Sequence, residues 1–195
     1  MLTWQEFFHI ADEKQIDQLY SKAHLAVKIV NMYNPRILDN IAVIANLVSG
    51  AYGVYNSGEN QKVIPRDLEN NLIYYGRVDK RSLGNIPKKT LAQYYPQALN
   101  QIKEADTIRV NVRRIMQEMG NDFDAIIEIA STIIHEATHE MEREQTGTTS
   151  EVGPVNAERV FKDWVNKSRT TLMSRFPDLQ GDVVGPAGYL PPGRV

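Results

Sequence analysis

From Asn121 to Gly147 the chain carries Phe123, Ile126, Ile127, Ala130, Ile133, Ile134, Ala137 and Met141 at the three- and four-residue spacing of one helix face. Asp122 and Asp124 stand at its start, where an α-helix favours negative charge. The pattern predicts a long helix with a buried face, ending near Gly147. It also fixes where His135 and His139 stand. At about 100° per residue both imidazoles fall on one border of the apolar stripe, where a core helix can also wall a cleft. The segment reads His135-Glu136-Ala137-Thr138-His139, so both rings can reach one tetrahedral cation while Glu136 flanks the remaining position. Two ordinary surface or core histidines have no need of this register.

A hydrolytic metal site needs three protein donors before water takes the fourth place, and the residues after the motif decide which arrangement is tenable. The extended motif of the metzincins requires Gly at 142 and His at 145, where this chain has Glu142 and Gln145. A deformylase-type site requires a cysteine thiolate, and the chain has no cysteine. A glutamate from a following helix remains. Gly153-Pro154 reads as a helix start with Pro at its first position, and Val155, Phe161, Val165 and Leu172 mark the expected buried face. Glu158 shares that face. A carboxylate there would be costly as an unpaired buried ion, so it calls for a cation or for a salt bridge to a base such as Arg159 or Lys162. Glu158 is therefore the expected third donor. Glu151, in the loop, is the second choice, and Glu142, on the motif helix itself, would strain a tetrahedral site.

His135-Glu136-Ala137-Thr138-His139, followed after eighteen intervening residues by Glu158, resembles the gluzincin metallopeptidases, especially the compact minigluzincins, over roughly residues 107–175. The resemblance implies a zincin-like fold in which His135, His139 and Glu158 hold Zn2+ and Glu136 serves as general base and then acid in peptide hydrolysis. One position departs from it: thermolysin-like members have an aspartate four residues after the ligand glutamate, and this chain has Lys162 there, with Asp163 the nearest aspartate.

Thr107 to Arg113 alternates apolar and polar residues, the pattern of a half-buried strand. Read as the sheet-edge strand along which an extended peptide binds, it turns Arg109, Asn111 and Arg113 outward or toward substrate. Ala51–Tyr55 and Leu72–Val78 are further expected strands, and 37–48 is ambiguous between helix and strand. Thr3 and Glu6 form a capping box opening a helix that runs to about Asn31, ahead of Asn34-Pro35. The fold class that follows is α+β and mainly helical: a small twisted sheet, the motif-bearing helix and the glutamate helix after it. One domain over 1–176 is expected, with 57–105 an irregular insertion and 177–195 a Gly/Pro-rich tail. Residues 181–195 contain four glycines, three prolines and Tyr189, so order in them calls for packing across the cleft or on a partner subunit.

At 195 residues and 42% hydrophobic, the chain suits one substantial core. A net charge of −2 gives no electrostatic case for nucleic acid or anionic membrane, and no apolar run is long enough to span a bilayer. The opening residues do not read as a signal peptide, so the expected location is cytoplasmic, with a place in a viral particle compatible. The reading is a zinc-dependent peptidase acting on a peptide or protein, with its oxyanion donor among Tyr52, Tyr74, Tyr75, Tyr189 and Arg109. Two alternatives stand beside it. One is a non-catalytic zincin-fold subunit of a larger assembly, self-associating through the tail. The other is a di-iron helical bundle built on Glu6-x-x-His9 and Glu136-x-x-His139.

Overall fold

A computed structural model describes residues 13–39, 41–48, 51–56, 60–65, 91–95 and 106–180. In chain order these form α1 (Glu13–Tyr33), β1 (Ile41–Val48), β2 (Ala51–Asn56), β3 (Asn60–Pro65), β4 (Ala92–Tyr95), β5 (Asp106–Val110), α2 (Val112–Glu118), α3 (Asp122–Thr146), α4 (Val152–Lys167), α5 (Arg169–Arg175) and a 3-10 turn at Pro177–Gln180. The class is α+β and mainly helical. The predicted capping box at Thr3 and Glu6, the strand at Leu72–Val78, residues Glu6 and His9, and the tail from 181 lie outside the described residues.

α1 buries Leu19, Ala23, Ala26, Val27 and Val30 and ends at Asn34, whose N–H still bonds Val30 O at 2.9 Å before Pro35. The ambiguous stretch after it resolves into strand β1 from Ile41 on. Among the described residues the sheet has five strands in the order β3-β2-β1-β5-β4, with β1 and β5 parallel and the other neighbours antiparallel. Two of these strands, β3 and β4, fall inside the stretch expected to be irregular. Among the described residues a sheet therefore forms one layer, which a four-helix di-iron bundle does not have.

Strand alternation sorts the side chains. Ile41, Val43, Ala45, Ala92, Ile108 and Val110 point into the main core, against α1, α2 and α3. Ile44 and Arg109 are register partners on the opposite face, and both are buried. This corrects the edge-strand expectation: β5 lies between β1 and β4, so its backbone is already paired on both sides and cannot accept a peptide strand. The strand also ends sooner than its alternation suggests. Asn111 caps α2 by accepting a hydrogen bond from Arg114 N at 3.3 Å, and Arg113 is an exposed helical residue.

α3 starts as predicted, with the Asn121 side chain accepting from Asp124 N at 2.9 Å, and stops at Gly147, whose φ of 73° is the left-handed C-cap that glycine adopts without a Cβ penalty. Its first four turns are buried nearly all round, and its last two emerge, which leaves Met141 exposed rather than on the core stripe. α4 packs alongside α3. Phe161 is fully buried between them, edge-on to Tyr33 at 5.2 Å and stacked on Trp164 at 5.9 Å, and Val165 and Leu172 continue the buried line. Val155 is a second correction, being mostly exposed. At about 100° per residue it lies about 120° from Phe161, whereas Pro154, seven residues before Phe161, is almost in line with it and takes the buried place. The body extends past the expected boundary at 176, because Leu179 in the 3-10 turn is buried.

Candidate metal centre

α3 and α4 meet along a polar seam. On α3 the residues Glu128, Ser131, His135, His139 and Glu142 recur at three- to four-residue intervals, so they line one strip of the helix. Opposite them stand Glu151, Glu158 and Lys162, with the two chains running in opposite senses: Glu128 meets Lys162, Ser131 meets Glu158, and the histidines meet Glu158 and Glu151.

The imidazoles converge. His135 Nε2 and His139 Nε2 are 3.1 Å apart, with the ring planes at 72°. Glu151 Oε2 lies 3.3 Å from His135 Nε2 and Glu151 Oε1 lies 3.4 Å from His139 Nε2. Zinc bonds of about 2.0–2.1 Å at a tetrahedral angle put neighbouring donors about 3.3 Å apart, close to the separation of the two Nε2 atoms and to the distance from each ring to its own nearer oxygen of Glu151. The donor chemistry fits as well, since two imidazoles and one carboxylate form a set that suits Zn2+. The histidines are mostly buried, whereas the Glu151 side chain is 75% exposed, so the cluster opens to solvent on the Glu151 side.

Glu158, the carboxylate expected to complete this set, is placed elsewhere. Its Oε1 is 2.5 Å from His135 Nδ1, and its Oε2 takes a hydrogen bond from Ser131 Oγ at 3.4 Å and faces Lys162 Nζ at 3.7 Å. Nδ1 and Nε2 lie on different edges of the ring, so Glu158 faces His135 away from the point where the Nε2 atoms meet. A proton on Nδ1 donated to Glu158 leaves the Nε2 lone pair directed at His139 and Glu151, which is the tautomer a metal requires. Lys162 is anchored in turn by Glu128 at 2.8 Å. The place where thermolysin-like proteins carry an aspartate thus holds a lysine that pairs with two carboxylates of the seam, and the orienting carboxylate for His135 is Glu158. Among the described residues His139 Nδ1 is buried and has no hydrogen-bond partner.

Glu136 is half-buried, about 100° round α3 from His135 and about 60° from His139. Arg109 is buried in the sheet, and the Asn111 side chain is committed to the first turn of α2. Of the oxyanion candidates, Tyr52 is on β2, while Tyr74, Tyr75 and Tyr189 lie outside the described residues. Beside Glu151, Val152, Val155, Asn156 and Arg159 line an open groove of about 390 Å³. Val152 and Val155 are exposed there. Sequence reasoning ranked Glu151 second because it belongs to the loop. It stands seven residues before Glu158, so helical periodicity puts both carboxylates on one line, and only their position along the axis separates them.

Compared with family models, with curated proteins and with solved structures, the chain matches none.

Proposed function

We propose that this chain is a zinc-dependent peptidase of zincin-like fold, with His135, His139 and Glu151 as the residues that hold the metal. The observation that carries the reading is the convergence of two Nε2 atoms and one carboxylate at 3.1, 3.3 and 3.4 Å beside a motif glutamate. A bound Zn2+ would supply Lewis acidity, making water nucleophilic near neutral pH and polarising a carbonyl.

The rest of the chemistry belongs to the side chains. Glu136 accepts a proton as water adds to the scissile carbonyl, and returns it to the amine as the C–N bond breaks. Glu158 keeps the His135 proton on Nδ1 and fixes the ring. Lys162, held by Glu128, neutralises part of the charge of Glu158, so a third carboxylate can stand near the site without repelling Glu151 at full strength. Among the described residues the terminal strand of the sheet on the side of β5 is β4, and it replaces β5 as the strand beside which an extended substrate would lie. The groove next to Glu151 offers exposed Val152 and Val155 to apolar substrate side chains.

Metal analysis of purified protein should give one zinc per chain, and a peptide library should be cleaved by the wild type and not by Glu136→Gln, which still carries the metal. Two irons per chain would favour the di-iron alternative. Zinc without cleavage of any library member would leave a non-catalytic, metal-holding fold of the kind an assembly subunit uses. Wild-type turnover by Glu136→Gln would end the mechanism.

A further inference from the structure

Glu151 occupies the N-cap position of α4, yet its side chain makes no capping hydrogen bond. A side-chain oxygen at that position commonly turns back to the free N–H groups of the first helical turn, a short-range bond that competes with any outward use of the carboxylate. Pro154, at the third helical position, offers Glu151 no N–H, and the residue before the N-cap is held from the neighbouring helix. Glu142, on the exposed end of α3, accepts from Ser150 N at 3.0 Å and from Ser150 Oγ at 3.4 Å. Its other oxygen lies 1.6 Å from where a Cβ on Gly153 would stand, so Gly153 leaves the room the carboxylate fills. The same stretch is tied down again by Thr146, whose Oγ1 is 2.8 Å from Glu142 O and accepts from Thr148 N at 3.3 Å.

We infer that Glu142 is a positioning residue for metal binding: by holding Ser150 and filling the space beside Gly153 it fixes the backbone on either side of Glu151, so that the Glu151 carboxylate faces His135 and His139. The inference rests on the assignment of Glu151 as a metal donor. Three features meet in it: a glutamate at an N-cap whose carboxylate makes no capping bond, a glutamate from the neighbouring helix on the preceding N–H, and a glycine where any side chain would collide with that glutamate.

The physical consequence is specific. A clash with the end of a flexible side chain is relieved by moving that side chain, so Gly153→Ala should expel Glu142 without breaking α4, in which alanine is the better helix former. Glu142→Ala removes the same contact from the other side. Glu142→Gln retains a carbonyl oxygen to accept from Ser150.

The test is zinc titration of the metal-free full chain against a competing chelator, with circular dichroism as the check on folding and hydrogen exchange at Ser150 N as a second readout. Glu142→Ala and Gly153→Ala should each weaken zinc binding about 10- to 100-fold, the range for partners that orient ligands, and expose Ser150 N to exchange. Glu142→Gln should stay near wild type. The double variant Glu142→Ala/Gly153→Ala should bind no worse than the weaker single variant, because both changes remove one contact. Wild-type affinity in Glu142→Ala, or losses that add in the double variant, would overturn the inference while leaving the metal centre intact. A wild-type chain that takes up no zinc would instead overturn the metal centre, and the positioning role with it.

Discussion

Two carboxylates stand near the imidazole pair of the proposed zinc site, and removing each in turn separates a ligand from an orienting group. Zinc present at 100 times its dissociation constant stabilises the folded chain by about 2.7 kcal/mol. For a domain of this size about 1 kcal/mol moves Tm by about 2–4 °C, so zinc should raise the wild-type Tm by about 5–11 °C. Glu158 touches Nδ1 of His135 and not the converging Nε2 atoms, so Glu158→Ala should cost what an outer partner costs, about 10- to 100-fold in affinity. At the same zinc concentration the stabilisation then falls to between about 1.4 and 0.4 kcal/mol, a Tm rise between about 1 and 6 °C. Glu151→Ala removes a charged donor facing both imidazoles, and its Tm should not respond to zinc at that concentration. The assay is differential scanning fluorimetry of metal-free and zinc-loaded protein for the three chains. A Glu158→Ala chain with no zinc response, beside a Glu151→Ala chain with the full one, would refute the assignment and restore Glu158 as the donor.

Phe161→Ala should destabilise the chain by about 3–5 kcal/mol in urea unfolding, because it empties the fully buried contact among α1, α3 and α4; a loss below about 1 kcal/mol would mean that the helices do not pack there. His24, half-buried on α1 and edge-on to Tyr20, has its pKa held below 6.5 first by burial and then by Lys28. The unfolded chain therefore binds the proton more readily than the folded one. The resulting stability is fully present above pH 6.5 and lost as pH falls below it toward the lower folded-state pKa, so His24→Gln should flatten the dependence of Tm on pH in that window. An unchanged slope would show that His24 does not contribute to it.

Much of the centre was legible because it is local. The helix from Asn121 to Gly147 carries its start, its stop and its buried face in its own residues, and the four-residue spacing of His135 and His139 sets their common direction on any α-helix. The expectations that failed were those that depend on where an element sits among its neighbours. Alternation marks residues 107–113 as a strand, of which 107–110 form one, but it is silent on the pairing with β4 on one side and β1 on the other, which makes the expected edge an interior strand and buries Arg109. Residues 91–95 carry no recognisable strand period, because a four-residue strand is defined by its partner rather than by a period of its own. Val155 is apolar and so suggests the buried face, but rotation about the helix axis gives that place to Pro154.

The amino-acid sequence determined on its own which residues could chelate: two imidazoles at helical spacing, a neighbouring glutamate, and two later glutamates seven residues apart on one line of α4. Which of those two glutamates meets the Nε2 atoms was decided by the tertiary structure alone. Seven residues are nearly two full turns, so both carboxylates point the same way and differ only by about 10.5 Å along the axis. That offset is resolved by how far α4 slides along α3, and the slide is set by contacts between distant residues, by Phe161 in the core and by Glu142 against Ser150 and Gly153 at the end of the seam.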